Sequence, residues 1–213
     1  MYKILFISTI LISSISILSI AEKTFNISSS VLSNIENKYG TSAKQRVENW
    51  DSMIESSKNE SVLNKIKNVN DFFNQLTYKT DLAHWKQKDY WATPFEFIGS
   101  GAGDCEDYAI AKYFSLIKLG IPDDKLRITY VTYSKSNSKF EQAHMVLTYY
   151  HKIGAEPVVL DNIDKTLQKT SKRTDLKPVY SFNATGLWQA KTKGETKVGS
   201  NNLKSWKDLI NRF

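Results

Sequence analysis

The chain has 213 residues, 41% of them hydrophobic and 24% charged, with only four prolines and nine glycines. That composition excludes a disordered, collagen-like or low-complexity chain and allows one composite domain with a sizeable core. The formal net charge is +7, with thirteen lysines between Lys112 and Lys197 separated by acids; they read as a solvated face, and neither a basic stripe nor a nucleic-acid-binding module is present.

At the N-terminus Lys3 is followed by an uncharged, apolar and Ser/Thr-rich run from Ile4 to Ile20. Ser19-Ile20-Ala21 puts small residues at the minus-three and minus-one positions, so residues 1–21 are expected to be a signal peptide and residues 22–213 the mature domain, with a charge of +6. The alternative is a retained anchor, although the run is short of the roughly 20 residues that a spanning helix needs. No second stretch is long and apolar enough to span a bilayer, so after cleavage the expectation is an exported protein, in a periplasm or outside the cell.

Residues 41–57 place Ala43, Val47, Trp50 and Ile54 on one helical face, with Thr41 and Ser42 as caps. The next helix carries Val62, Ile66, Val69, Phe73 and Leu76 behind Ser61 as N-cap. From Asp81 to Gly103 the periodicity fails, and Trp85, Tyr90, Trp91, Phe95 and Phe97 before the Gly99-Ser-Gly-Ala-Gly103 string read as an aromatic loop ending in a flexible turn. Such aromatics either wall a cleft or plug the core. A third helix, from about Asp104 to Leu119, is apolar nearly all round and therefore central, with Asp104 as cap, Asp107 in the capping-box position and Gly120 and Pro122 as stops. Strands follow at about 126–133, 145–150, 157–161 and 179–182, and a short helix over 203–212 closes the chain. Helices first and strands second make an α+β domain.

The single cysteine, Cys105, is unusual for an exported chain, where cysteines pair or are absent. It is either a small buried hydrophobe or a reactive thiol. Its place in the first turn of a helix favours thiolate through the macrodipole and the unpaired N–H groups there. Three histidines, His84, His144 and His151, are available as base. If strands 145–150 and 157–161 form a hairpin in which His144 faces Asp161, the loop is His151-Lys-Ile-Gly154 and the two side chains share a face. Cys105, His144 and Asp161 then follow triad logic, and a slip of one residue would destroy it. Asp104, Glu106 and Asp107 oppose the thiolate. They either compensate the helix dipole or hold a hard divalent cation, calcium being expected.

Gly101-Ala-Gly-Asp-Cys-Glu-Asp-Tyr-Ala109, Gln142-Ala-His-Met-Val146 and Val159-Leu-Asp-Asn162 resemble the bacterial transglutaminase-like cysteine proteinases of the LapG type. So do Arg46–Trp50, Val69–Asn74, Asp89–Pro94 and Trp206–Leu209, which carries the likeness over most of the mature chain. The resemblance implies a papain-like, transglutaminase-like core and a periplasmic, calcium-dependent endopeptidase. Cys105 would be its nucleophile, His144 its base and Asp161 the orienting acid, with Asp104, Glu106 and Asp107 carrying the ion. It further implies cleavage of the N-terminal region of a large surface adhesin at a pair of alanines, which disperses biofilm. Restraint would come from the periplasmic domain of an inner-membrane cyclic di-GMP receptor. One oxyanion donor is expected from the Cys105 N–H and a second from the Trp91 indole. The same triad serves a transglutaminase or an amidase, and a non-catalytic exported binding module is the alternative of a different class.

Overall fold

The computed structural model describes residues 27–135, 140–152, 154–191 and 195–213; the expected signal peptide lies outside them. Among the described residues no helix is long and apolar enough to cross a membrane. The chain opens with α1 (Ser29–Tyr39), which the apolar spacing did not reveal; Ser28 Oγ caps it by accepting from the Val31 N–H at 3.3 Å. Next come α2 (Thr41–Ser57) and α3 (Val62–Phe73). Ser61 caps α3 as expected, accepting from the Asn64 N–H at 3.3 Å, whereas the N-cap position of α2 is Gly40, with Thr41 already helical.

The predicted apolar face of α2 is fully buried. Trp50 on that face donates Nε1–H to Ser115 Oγ at 2.9 Å and meets the Phe95 ring edge-on at 5.9 Å. Trp50→Ala is therefore expected to cost about 3–5 kcal/mol, because it opens a large cavity and removes a hydrogen bond. Urea denaturation measures this; a loss below about 1 kcal/mol would mean that the helices collapse into the gap.

The segment 81–103 is irregular only over residues 85–93, which carry Trp85, Tyr90 and Trp91, and at Gly101. It folds as α4 (Asp81–His84) and α5 (Pro94–Ser100), then β2 (Ala102–Gly103), which pairs in parallel with β1 (Thr77–Tyr78). The start of α5 has a local code: Thr93 Oγ1 accepts from the Glu96 N–H, Glu96 Oε2 accepts from the Thr93 N–H, and Pro94 fills the first helical position. Two turns are too few for an apolar period to register. The glycine string is also packed against its neighbours. A Cβ on Gly103 would come within 2.2 Å of Asp107 Oδ2 and 2.8 Å of the Phe97 ring, and Arg46 donates to the carbonyls of Ile98 and Gly99 at 2.7 and 2.5 Å.

Helix α6 (Cys105–Lys118) is buried on nearly every side beyond its first turn. It packs on β3 (Leu126–Ser134) and β4 (Glu141–Tyr149), at the middle of an antiparallel sheet. The sheet continues through β5 (Val158–Leu160) and β6 (Gln168–Lys169) on one side. On the other lie β7 (Leu176–Phe182), β8 (Leu187–Ala190) and β9 (Glu195–Gly199), giving the order β6-β5-β4-β3-β7-β8-β9. Strands β6, β8 and β9 were not anticipated. Helix α7 (Lys204–Ile210) closes the core by stacking Trp206 on Phe114 at 5.7 Å.

The β4–β5 register differs from the expected one. Leu147 faces Leu160 and Tyr149 faces Val158, so the pairing is displaced by two residues and Asp161 lies just beyond the ladder. A displacement of two keeps every side chain on its face, which is why the expectation about His144 and Asp161 survives it.

Candidate active site

Cys105 is the first residue of α6, half-buried at the wall of a cleft of about 390 Å³ that His144, Trp91, Tyr78 and Tyr130 also line. The turn is held from both sides: Asp107 Oδ2 accepts from the Asp104 N–H at 3.2 Å, and Asp107 Oδ1 from the Ala92 N–H at 2.8 Å. The thiol donates to Glu106 Oε2 at 3.1 Å and accepts from the Met145 N–H, one residue from His144. Burial, then the charge and hydrogen bond of Glu106, then Asp104 push the thiol well above its ordinary value, and the Met145 N–H works against them.

His144 stands on β4, 3% exposed, with Nε2 2.8 Å from Asp161 Oδ1. The Asp161 carboxylate is built to stay charged. Oδ1 also accepts from the N–H groups of Asn162 and Ile163 at 2.6 and 3.0 Å, and Oδ2 accepts from Arg173 Nη2 at 2.7 Å. Burial alone would raise its pKa, but the His144, Ile163 and Arg173 bonds hold it well below the usual carboxylate range. An ionised carboxylate only accepts, so the hydrogen on Nε2 belongs to His144, and Nδ1 is the nitrogen left to exchange a proton with a thiol. Arg173 is itself buried and forks onto Asp175 at 2.7 and 3.0 Å. No motif pointed to it.

The expected acidic residues come together, and two others join them from α4 and the segment after it. Carboxylate oxygens of Asp81, Asp104 and Asp107 lie within 4.8 Å of one another, as do those of Asp81, Asp89 and Glu106. Asp81 Oδ1 and Asp104 Oδ1 are buried without a hydrogen-bond partner. Burial, with the neighbouring carboxylates, pushes Asp81 up to about 6 and Asp104 up to about 8, and burial raises Glu106 and Asp107 as well. Orphaned carboxylate oxygens packed this closely fit a hard divalent cation, which takes six to eight oxygens. Asp81 and Asp104, whose Oδ1 atoms have no partner, are the best-placed donors, with Asp89, Glu106 and Asp107 beside them. Asp81 and Asp89 escaped notice because they stand 15 to 26 residues before the other carboxylates, with no fixed spacing to them.

Trp91 lines the cleft, yet its Nε1–H donates to Asp89 Oδ1 at 3.0 Å and its ring stacks on Phe182 at 5.6 Å. The donor assigned to an oxyanion is thus occupied. The Cys105 N–H, at a helix start, has no intrahelical partner and remains suited to that task.

Residues 36–190 match the family of bacterial transglutaminase-like cysteine proteinases. Among solved structures, calcium-bound LapG of Legionella pneumophila is 44% identical, with 87% of this chain and 99% of that one covered and a TM-score of 0.73. The EGTA-treated form of the same protein is 43% identical, with 87% and 97% covered and a TM-score of 0.74. A search of curated proteins gave no match. With the match spanning the helix of Cys105, the strand of His144 and Asp161 just after β5, the chain belongs to the bacterial transglutaminase-like cysteine proteinases.

Proposed function

We propose that this cysteine peptidase is a calcium-dependent endopeptidase of the periplasm, with Cys105 as nucleophile, His144 as general base and Asp161 as orienting acid. The observation that carries the reading is the buried His144–Asp161 pair facing the cleft into which Cys105 projects from the start of α6. In this reaction Cys105 Sγ attacks the scissile carbonyl carbon as its proton passes to His144 Nδ1. The Cys105 N–H stabilises the oxyanion, and His144 then protonates the departing amine. Water, deprotonated by His144, hydrolyses the thioester and restores the thiol. A calcium ion held among the carboxylates of Asp104, Glu106 and Asp107, with Asp81 and Asp89 joining them, would neutralise the charge beside the thiol. The relative was solved both calcium-bound and EGTA-treated, which supports the choice of ion.

The proposed substrate is the N-terminal region of a large surface adhesin, cut at a pair of alanines, so that its release disperses biofilm. The proposed restraint is the periplasmic domain of an inner-membrane cyclic di-GMP receptor. These assignments rest on the family likeness. They are tested by incubating residues 22–213 with an adhesin N-terminal fragment and sequencing the products. Cleavage between two alanines is expected with calcium present, falling to background in excess EGTA and returning when calcium is restored. An unchanged rate in EGTA would reduce the carboxylates to helix caps, and an uncut fragment in calcium would remove the adhesin as substrate.

A further inference from the structure

Lys112 belongs by sequence to the lysines read as a solvated face, but it is fully buried. It stands on α6 about two turns beyond Cys105. Its three ammonium hydrogens have three acceptors: Asn70 Oδ1 and Asn74 Oδ1, each at 2.9 Å, and the Asp161 carbonyl at 3.0 Å. None of these is a carboxylate, and burial accordingly pushes the ammonium down to about 7, with the Asp161 charge opposing the shift. A buried cation on neutral partners is a costly way to fill a core.

The cost is matched by a geometric need. Asp161 lies past the last β4–β5 pair, Leu147 with Leu160, so the strand ladder does not hold its backbone. The buried network does. The Asp161 carbonyl accepts from Asn74 Nδ2 at 2.8 Å as well as from Lys112. Further along, Asn70 Nδ2 donates to the Lys165 carbonyl and Lys165 Nζ to the Asn74 carbonyl, both at 2.8 Å. Residues 161–165 are thereby stitched to the end of α3, and Lys112 joins that seam to the helix that starts at Cys105.

We propose that Lys112 is a positioning residue for the peptidase reaction: through the Asp161 carbonyl it ties the His144–Asp161 pair to the nucleophile's own helix and fixes their spacing. The inference rests on the triad reading above, and its test separates the two. Lys112→Met, Asn74→Ala, the double variant and Cys105→Ala are assayed with calcium on the adhesin fragment. Circular dichroism at the assay temperature confirms folded protein, so that lost stability alone does not enter kcat. Lys112→Met is expected to lower kcat by about 10²-fold with KM within about twofold, the scale of a catalytic group displaced by about 1 Å. Asn74→Ala lowers kcat by roughly tenfold, and the double variant is no worse than Lys112→Met because both act on one carbonyl. Wild-type kcat in Lys112→Met, or a loss carried by KM alone, overturns the proposal. Should Lys112→Met fail to fold, the same criterion applied to Asn74→Ala decides. Activity retained in Cys105→Ala would instead sink the triad reading itself.

Discussion

Cys105→Ala is expected to give a folded protein whose cleavage rate falls on the order of 10⁴-fold or more, since no other group in the cleft can form the thioester. Cys105 is the only cysteine of the chain, so no neighbouring thiol can substitute. The fold tolerates the change for a local reason. Cys105 is half-buried at a helix start, alanine is a strong helix former, and the turn is held by the Asp107 bonds to the Asp104 and Ala92 N–H groups, which do not involve the thiol. The substitution also removes the contact between Sγ and Glu106, so a shift of the melting temperature by more than a few degrees is not expected. Initial rates on the adhesin fragment, with a thermal melt of the same sample, measure both quantities. Cleavage within tenfold of wild type would exclude Cys105 as the nucleophile.

That prediction was legible from the sequence because its ingredients are local. A lone cysteine, a capping aspartate before it and an apolar run after it define the start of a buried helix without knowledge of anything distant. The pairing of His144 with Asp161 was legible only in parity. Strand periodicity tells which face a residue occupies but not which of several even registers the loop selects, and here the loop is longer than the four residues expected. Residues that meet only through tertiary packing left no trace: Arg173 beneath Asp161, Asp81 and Asp89 beside Asp104, and Lys112 in the core. A lysine pattern has no sign that marks the one whose acceptors are all internal. The short helices α4 and α5 were lost for a different reason, since a helix of one or two turns carries its signal in its caps and not in its period.

Asp161→Asn is expected to cost about 3–5 kcal/mol of stability at pH 7, as breaking a buried ion pair does, and to lower kcat at least 10²-fold through the loss of His144 orientation. The amide cannot serve both sides of the site. Oδ1 receives three donors, from His144, Asn162 and Ile163, and Oδ2 receives Arg173, so an NH₂ group opposes a donor whichever way it points. Arg173 would then face its remaining acid, Asp175, while buried beside an uncharged group. The pH dependence has a definite sign. Because the folded state holds Asp161 well below its unfolded value, its stabilisation is fully present above about pH 4 and is lost as the pH falls further. The part of the stability gap between wild type and Asp161→Asn that comes from this ionisation should therefore narrow below about pH 4. Adding Arg173→Met to Asp161→Asn removes the stranded cation and should return much of the stability while restoring none of the activity. A double variant no more stable than Asp161→Asn would show that the penalty arises at His144 and the Asn162–Ile163 turn, and not at the buried guanidinium.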